Sequence, residues 1–403
     1  MSLDINSIRA EFPILERHIG KWPLVYLDNA ATSQAPSCVV DAITRMYTHT
    51  RANVHRGVHT LSQEATALQE KTREHVARYV NAATEEIIFT RGTTEAINLV
   101  ASSYGQMLEE GDEVILTVME HHANIVPWQL LQARKGIVIK HVGINDRGEL
   151  DMEQYRSLFT ERTRLVAFCH VSNVLGTVNP VKEMTAYAHS RGAVVLVDGA
   201  QASPHLHIDV ADIDCDFYVF SSHKMYGPTG VGVLYGRRSL LEEMPPYQGG
   251  GEMIKHVSFS GTTFADLPFK FEAGTPDFVG IAAFDAALGF IERVGLEEIE
   301  AHELALLRLC EKEMNLVEGM KIYGTAPGKA PVTSFLVGDI HPYDLGMLLD
   351  KQGVAVRTGH HCAQPLMEWF GIPGTVRASW AVYNTEQEVE AFITALRRAV
   401  AIF

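Results

Sequence analysis

The sequence predicts an α/β fold, in which a large domain with a mostly parallel sheet precedes a smaller α+β domain. As far as about residue 280, short apolar runs alternate with segments of helical period. That alternation is typical of a parallel sheet covered by helices on both faces. Beyond that point, long amphipathic helical patterns lead into a second, shorter set of strands. We therefore expect a large domain at 24–285 and a small domain formed by 1–23 and 286–403.

The apolar runs of the large domain are expected to be buried strands, because successive residues in each run are apolar and would serve both faces of a sheet. In chain order the runs are EIIFT (86–90), EVILTVM (113–119), RLVAFCHVS (164–172), AVVLVDGA (193–200), DFYVFSS (216–222) and VGVLYG (231–236). Helical patterns such as TTEAINLVASSYGQML and VKEMTAYAHSRG separate them. The glycine-rich QGGGEMIKHVSFSGTTF (248–264) predicts a hairpin or flap between the two domains.

The later part of the chain begins with two long amphipathic patterns, IAAFDAALGFIERV and EEIEAHELALLRLCEKEMNLV, which predict helices. A second alternation of strands and helices follows: VTSFLVG, YDLGMLLDKQG, VAVRTG and VRASWAVY. The chain closes with NTEQEVEAFITALRRAVAIF, in which Thr385 and Glu388 have the spacing of a capping box ahead of an amphipathic helix. These patterns predict the smaller α+β domain.

Composition excludes several classes of partner. Lys and Arg number 34 against 49 Asp and Glu, and the formal net charge of −15 disfavours nonspecific binding to nucleic acid or to an anionic membrane. The N-terminus lacks a basic region followed by an apolar block, and no apolar run is long enough to span a bilayer. The five cysteines show no C-x-x-C spacing, which indicates reduced thiols in a cytoplasmic protein.

Polar residues follow successive predicted strands, where a parallel sheet has its ligand crevice. The Gly-Thr-Thr turn at 92–94 begins a helix, whose N-terminal N–H groups and dipole favour a phosphate. Asp198 ends an apolar strand, and a buried carboxylate needs a cationic partner. Lys224 offers an amine able to form a Schiff base, and the imidazole of His121 suits a planar ring. Together they describe a pyridoxal 5′-phosphate site. Each feature also has a structural alternative. Thr93 could simply cap the helix, and Asp198 could cap the next turn. Lys224 could lie in a surface turn, and His121 could be a turn histidine whose hydrogen bonds are satisfied.

A second chemical signal is RTGHHCAQPL, in which Cys362 follows His360 and His361, with Arg357 five residues earlier. Nearby imidazolium or guanidinium groups favour the reactive thiolate, so we expect Cys362 to be exposed and nucleophilic. The remaining cysteines are expected to be small buried hydrophobes, namely Cys38, Cys169, Cys215 and Cys310. We expect no metal site, because neighbours in an extended loop point in different directions and a C-x-x-C partner is missing.

Nine blocks between about residues 26 and 384 resemble the pyridoxal-phosphate cysteine desulfurases. They are YLDNAATSQAP, NVHRGVHTLSQEAT, RGTTEAINLV, EHHANIVPW, HVSNVLGTVNP, VDGAQ, SSHKMYGPTG, FEAGTP and RTGHHCAQPL. The resemblance implies the aspartate aminotransferase fold, type I, of the class-V aminotransferases. The short cysteine loop and the glycine-rich insertion resemble the Suf-type second group. Ser222 departs from the glycine usual in that turn, which puts only the local backbone geometry in doubt.

The resemblance also implies a role for each matching residue. The expected catalytic residues are Lys224, Cys362 and His121. The residues expected to bind the cofactor are Lys224 (Schiff base), Asp198 (pyridine nitrogen), Gln201 (phenolic oxygen), His121 (ring), and Thr94, Ser221, His223 and a neighbouring subunit's Thr275 (phosphate). The residues expected to bind the substrate are Arg377 (carboxylate), Asn173, Arg357 and His55.

The activity implied by the resemblance is that of a homodimeric enzyme that converts L-cysteine to L-alanine and leaves a persulfide on Cys362. The sulfur would pass to an acceptor protein of Suf type for iron–sulfur cluster assembly. Three alternatives stay open: a lyase acting on L-selenocysteine, a β-eliminating C–S lyase that releases pyruvate and ammonia, and a cofactor-bound scaffold without activity. An NAD-binding fold is disfavoured, because no G-x-G-x-x-G follows the first strand.

Overall fold

The computed structural model describes residues 3–403, and its elements follow the predicted alternation. The helices are α1 (Ile5–Ala10), α2 (Ser37–Arg45), α3 (Thr60–Val80), α4 (Thr93–Ser103), α5 (Val126–Lys135), α6 (Met152–Ser157), α7 (Val181–Ser190), α8 (Val210–Ile213), α9 (Arg238–Glu243), α10 (Phe278–Val294), α11 (Leu296–Met314), α12 (Pro342–Asp350), α13 (Gln364–Phe370) and α14 (Glu386–Val400). The strands are β1 (His18–Ile19), β2 (Trp22–Pro23), β3 (Val25–Tyr26), β4 (Ile87–Thr90), β5 (Glu113–Thr117), β6 (Val138–Val142), β7 (Thr163–Cys169), β8 (Val194–Asp198), β9 (Phe217–Ser221), β10 (Gly232–Gly236), β11 (Ile254–Ser258), β12 (Gly261–Phe264), β13 (Met320–Tyr323), β14 (Val332–Val337), β15 (Val354–Ala355), β16 (Arg357–Gly359) and β17 (Thr375–Ser379).

A seven-stranded sheet with the order β4-β10-β9-β8-β7-β5-β6 forms the centre of the large domain. The pairs from β9 to β6 are parallel, whereas β10 is antiparallel to both β9 and β4. The predicted α/β fold with a mostly parallel sheet is therefore confirmed. Each of the six predicted strands is present, and β6 is an addition at the sheet edge. Its residues are mostly exposed or half-buried, so its sequence lacks a continuous apolar run.

The strands read as continuous apolar runs because helices cover both faces of the sheet. Along β7, Leu165 and Ala167 pack in the cluster that includes Ile97 of α4. The alternate residues Val166 and Phe168 belong to the cluster on the opposite face. All four are fully buried. Successive side chains of a strand point to opposite faces, so a strand buried on both sides needs apolar residues at every position.

A second, antiparallel sheet with the order β13-β14-β17-β16 lies in the later part of the chain. Its core includes Phe335 of β14 and Leu396 of α14, together with Val25 of β3. Strand β3 pairs with β15 of this part, whereas Phe12 packs in the cluster on the large sheet. The predicted domain limits of 24–285 and 1–23 with 286–403 stay a prediction.

Two local predictions are confirmed. The glycine-rich segment forms a hairpin of β11 and β12, whose turn residue Phe259 is fully exposed. The capping box at α14 is present, since Glu388 N–H donates to Thr385 Oγ1 at 3.2 Å and Thr385 N–H donates to Glu388 Oε2 at 3.0 Å. Over residues 3–403, the helices are either too short or too polar to cross a bilayer.

A buried ion pair anchors the segment that leads from the hairpin to Thr275. The guanidinium of Arg73 on α3 is fully buried and donates to both carboxylate oxygens of Glu272, at 2.6 and 2.9 Å. It also donates to Ile87 O, and Phe89 N–H donates to Glu272. This pair joins α3, β4 and the segment before α10 into one hydrogen-bonded unit.

We expect Arg73→Met to lower the free energy of unfolding by about 3–5 kcal/mol, because it leaves the carboxylate of Glu272 buried without its cation. Chemical denaturation followed by circular dichroism measures the change. The matched control is Arg238→Met, which removes exposed pairs with Glu85 at 3.2 Å and Glu242 at 2.8 Å and should change the free energy of unfolding far less, because exposed pairs contribute little. Equal losses in the two variants would contradict this account of the buried pair.

Candidate active site

A cavity of about 550 Å³ lies beyond the carboxyl ends of β5, β7, β8 and β9. Strands β16 and β17 and the loop after β16 contribute its other side. Most of the residues predicted for the site line it: Thr94, His121, Asn173, Asp198, Gln201, Ser221, His223, Lys224, Arg357, Cys362 and Arg377. The structure thus brings together residues from both parts of the chain, at the edge where the crevice of a parallel sheet is expected.

Lys224 ends a single 3-10 turn, Ser222–Lys224, that directly follows β9. Burial and, to a smaller extent, Arg377 lower the pKa of its amine, the carboxylate of Asp198 opposes them, and the resulting pKa is about 8. About a tenth of the amine is then uncharged at pH 7, far more than in a free lysine, and the uncharged amine is the nucleophile. Ser222 is accommodated in this turn, since its backbone is outside the left-handed region and its hydroxyl donates to Val231 O at 3.1 Å.

Asp198 and Gln201 line the same cavity as the lysine. Asp198 ends β8 and accepts a hydrogen bond from Ala200 N–H at 2.9 Å, while burial raises the pKa of its carboxyl group and Lys224 lowers it. Gln201 donates through Nε2 to Ala30 O at 2.6 Å. Its buried Oε1 has no hydrogen-bond partner among residues 3–403. Because a buried carboxylate and an unpaired buried oxygen are energetically costly, both residues are suited to bind a polar ligand.

The N-terminus of α4 opens onto the cavity beside Thr94. The alternative in which Thr93 caps this helix is wrong, because the capping residue is Gly92 and Thr93 is the first helical residue. Thr93 instead bonds Ser221 Oγ through its N–H at 2.8 Å and its hydroxyl at 2.7 Å. The helix start is thereby fixed to the end of β9. The positive end of the helix dipole and the exposed hydroxyl of Thr94 suit a phosphate.

Two imidazoles in the cavity are uncharged at neutral pH. Burial lowers the pKa of His121 to about 4, and Lys224 adds to the effect. Burial also lowers the pKa of His223 to about 4. The orientation of His121 is set by Ala123 N–H, which donates to its Nδ1 at 3.1 Å. A neutral, oriented imidazole is suited to pack on a planar ring without adding positive charge next to Lys224.

Asp28, which is not among the residues predicted for the site, connects the two arginines of the cavity. Arg357 and Arg377 are cross-strand partners on β16 and β17, where like charges repel. Arg357 donates to both oxygens of Asp28, at 2.8 to 3.1 Å, and Arg377 Nη2 donates to Asp28 Oδ1 at 3.3 Å. Asp28 lies in the YLDNAATSQAP block directly after an apolar strand, which was the signal available.

Arg377 is placed to receive an anion. Its side chain is buried, and its Nη1 donates to the backbone oxygen of Asn173 at 2.9 Å. Within the described part of the chain, its buried Nε has no hydrogen-bond partner. A guanidinium edge with a free N–H in a cavity fits a carboxylate, which accepts two parallel hydrogen bonds from arginine.

Cys362 lies at the rim of the same cavity and is exposed, as predicted. Asn173 Nδ2 donates to His361 O at 2.8 Å, and His122 N–H donates to Cys362 O at 2.7 Å, so both residues hold the loop. The imidazole of His361 is buried and bonds Thr375 Oγ1 at 2.9 Å. Across residues 3–403, no three or more His, Cys, Asp or Glu side chains are grouped so that they could hold a metal ion.

The other cysteines divide into two classes. Cys169, Cys215 and Cys310 are buried, as expected for small hydrophobes. The expectation for Cys38 was wrong, because its thiol is exposed. Cys38 lies near the start of α2, on a helix whose buried face is formed by Val39.

Two predicted site residues lie away from the cavity within this single chain. His55 bonds Glu70 Oε1 at 3.1 Å, and its ring centroid lies 4.9 Å from that of Phe269. Thr275 lines a different cavity, of about 490 Å³, together with Tyr247 and Glu272. Their predicted contacts with cofactor and substrate stay predictions.

The residues of the main cavity fit pyridoxal phosphate. The amine of Lys224 would hold the aldehyde carbon, and the buried carboxylate of Asp198 suits a protonated ring nitrogen. The neutral ring of His121 and the unpaired oxygen of Gln201 offer a flat surface and a polar contact. The start of α4 suits the phosphate.

Comparison with known proteins shows that nearly the whole chain is similar to members of one family. The family model for class-V aminotransferases matches residues 25–392. The cysteine desulfurase of Pectobacterium carotovorum is 50% identical over 401 residues, which are 99% of this chain and 98% of that protein. The cysteine desulfurase CsdA of Escherichia coli, in an S-sulfonic acid form, superposes with a TM-score of 0.93 at 40% identity and covers 100% of both chains.

A more distant solved structure carries the cofactor. A lysine-to-alanine mutant of the lyase C-DES, with glycine covalently linked to its PLP cofactor, has a TM-score of 0.85 and 25% identity to this chain. The match covers 96% of this chain and 98% of C-DES.

The charges around Lys224 predict how its reactivity depends on pH. In protein freed of any cofactor, acetylation of Lys224 should show a midpoint near pH 8, and exposed Lys312 serves as the internal reference. Asp198→Asn should move the midpoint to lower pH, because it removes the negative charge that stabilises the ammonium form. Competitive labelling followed by peptide mass spectrometry measures both midpoints. A midpoint that stays in place or rises in the variant would contradict this assignment of charges.

Proposed function

The chain belongs to the class-V aminotransferases and, within them, to the cysteine desulfurases, and from this premise we propose that it converts L-cysteine to L-alanine with transfer of sulfur to Cys362. The observation that carries the proposal is the shared cavity. A lysine amine with a pKa near 8, a buried arginine and an exposed thiol line one space of about 550 Å³. Those three groups are what desulfuration of an amino acid requires.

Bound pyridoxal phosphate supplies an electron sink that weakens the bonds to Cα and Cβ of an attached amino acid. The side chains proposed to hold it are Lys224, Asp198, Gln201, His121, Thr94, Ser221 and His223. The remaining steps concern what the residues of this chain do.

Arg377 binds the carboxylate of L-cysteine through its unpaired Nε and through Nη2, which also contacts Asp28, and this fixes the amino acid in one orientation. Asn173 supports this position, because its backbone oxygen holds Arg377 and its amide holds the Cys362 loop. Arg357 donates three hydrogen bonds to Asp28, so Asp28 keeps a cationic partner when Arg377 binds the substrate. His55 stays a proposed substrate contact, and the single chain offers no geometric support for it.

Lys224, released as a free amine, takes the proton from Cα of the substrate and returns it later in the reaction. A pKa near 8 suits this exchange, since both forms of the amine are populated near neutral pH. His121 lines the same cavity and is proposed to donate or accept protons during the release of sulfur.

Cys362 Sγ, as a thiolate, attacks the sulfur of the substrate. A sulfur–sulfur bond forms, the bond between Cβ and sulfur breaks, and its electron pair stays on the three-carbon fragment. Protonation of that carbon gives L-alanine. The balance is L-cysteine plus the Cys362 thiol to L-alanine plus a persulfide on Cys362, so no external oxidant or reductant is needed.

The exposure of Cys362 supports passage of its sulfur to an acceptor protein, which we propose to be of the Suf type and to serve iron–sulfur cluster assembly. We further propose a homodimer in which Thr275 contacts the phosphate in the partner's cavity.

We propose a cytoplasmic location, because the free cysteines of the described residues suit a reducing compartment. A selenocysteine lyase is the second candidate, because it uses the same cofactor and the same grip on the amino acid.

Replacement of Cys362 by alanine tests the proposal. We expect alanine formation from L-cysteine to fall at least about 100-fold, because the sulfur loses its nucleophile, while the visible absorbance of the bound cofactor is unchanged. Cys38→Ala, which removes the other exposed thiol, is the matched control and should retain full activity.

Product analysis separates the alternatives in the same assay. Pyruvate and ammonia in place of alanine would indicate a β-eliminating lyase. Activity of Cys362→Ala on L-selenocysteine but not on L-cysteine would favour the selenocysteine lyase. Full alanine formation from L-cysteine by Cys362→Ala would refute the role of this thiol.

A further inference from the structure

The loop that carries Cys362 has a backbone that needs support from its surroundings. His361 and Cys362 both have left-handed dihedrals, with φ of 52° and 56°. Residues with a Cβ rarely adopt this region, and two in succession are rarer still. Such a conformation persists where surrounding contacts impose it. The contacts made to this loop therefore determine where the Cys362 sulfur lies.

His122 makes two of those contacts. Its backbone N–H donates to Cys362 O at 2.7 Å, and its Nε2 accepts a hydrogen bond from Gln364 N–H at 3.2 Å. Gln364 is the first residue of α13, and the preceding Ala363 provides no side-chain cap for that helix. His122 therefore caps α13 from a distant segment of the chain.

A second histidine completes the arrangement. His360 Nδ1 accepts a hydrogen bond from Cys362 N–H at 3.2 Å, and the His122 and His360 ring centroids lie 5.5 Å apart. The two imidazoles thus hold backbone groups on either side of the thiol. Burial and the neighbouring His360 lower the pKa of His122, which keeps its Nε2 available as an acceptor.

The segment that contains His122 is itself rigid. Glu120, which precedes the two histidines, is fully buried and accepts from Asn124 Nδ2 at 2.7 Å and from Cys169 N–H at 3.1 Å. Asn124 in turn accepts from Trp128 Nε1 at 3.1 Å. These bonds fix the turn after β5 to the end of β7. A loop bonded to this turn is held at a defined distance from His121.

We propose that His122 is a positioning residue for the sulfur-transfer step, whose imidazole holds the Cys362 loop against the turn that carries His121. This inference rests on the proposed role of Cys362. Loss of the imidazole leaves Gln364 N–H without its partner and releases one side of a strained loop. The thiol then spends less time within reach of the substrate sulfur, while the cofactor contacts of Lys224 and Asp198 and the carboxylate contact of Arg377 are retained.

The test compares His122→Phe with His122→Gln in the cofactor-bound protein. His122→Phe keeps a flat ring but removes the acceptor, so we expect the rate of persulfide formation on Cys362 to fall about tenfold. The KM for L-cysteine and the cofactor absorbance should match those of the parent protein. His122→Gln supplies an oxygen that can accept from Gln364 N–H and should recover most of the rate. Amide hydrogen exchange at 360–366 should be faster in His122→Phe than in the parent.

His341→Phe is the matched control. His341 Nδ1 accepts from Tyr343 N–H at 3.3 Å at the start of α12, so the substitution removes the same kind of contact away from the cavity. It should leave persulfide formation unchanged.

An unchanged rate of persulfide formation together with unchanged hydrogen exchange in His122→Phe would overturn the inference. A rise in KM for L-cysteine as large as the fall in kcat would also overturn it. Absence of persulfide in the parent would overturn the proposed function instead, and the exchange measurement would still decide whether His122 holds the loop.

Discussion

The amine of Lys224 is buried between charges of opposite sign, and the balance of these charges governs what the cavity can do. Burial and Arg377 favour the neutral amine, Asp198 favours the ammonium ion, and the resulting pKa is about 8. Arg377 is subject to the same constraint, because burial lowers its pKa to about 10 and Asp28 opposes that change. Buried charges are tolerated where each has a partner: Asp198 is the partner of the Lys224 amine and Asp28 that of the Arg377 guanidinium, while Arg357, which is exposed, also pairs with Asp28.

This charge arrangement depends on the meeting of two sheets. The parallel sheet places Asp198 at the end of β8 and leads through β9 into the turn that ends at Lys224. The antiparallel sheet places Arg357 and Arg377 opposite each other on β16 and β17. The loop after β16 then brings Cys362 to the rim. Because the amine follows one sheet and the thiol follows a strand of the other, the relative position of the two sheets sets the distance between these two groups.

Much of this could be predicted from the sequence, because buried strands and strand-end polar residues leave strong local patterns. Asp198 and Lys224 follow apolar runs directly, and Cys362 lies in a polar Gly- and His-rich loop. Asp28 was missed, since its importance comes from arginines more than 300 positions away in the chain. The exposure of Cys38 and the edge strand β6 also depend on tertiary neighbours that a local pattern does not report.

The central claim is that sulfur from the amino acid is transferred to one particular thiol. Mass spectrometry of the cofactor-bound protein after brief exposure to L-cysteine, with digestion under non-reducing conditions, tests it most directly. The account predicts the mass of one additional sulfur atom on the peptide that contains Cys362, removable by a thiol reductant. Additional sulfur on the Cys38 peptide alone, or alanine production with Cys362 unmodified throughout, would contradict it.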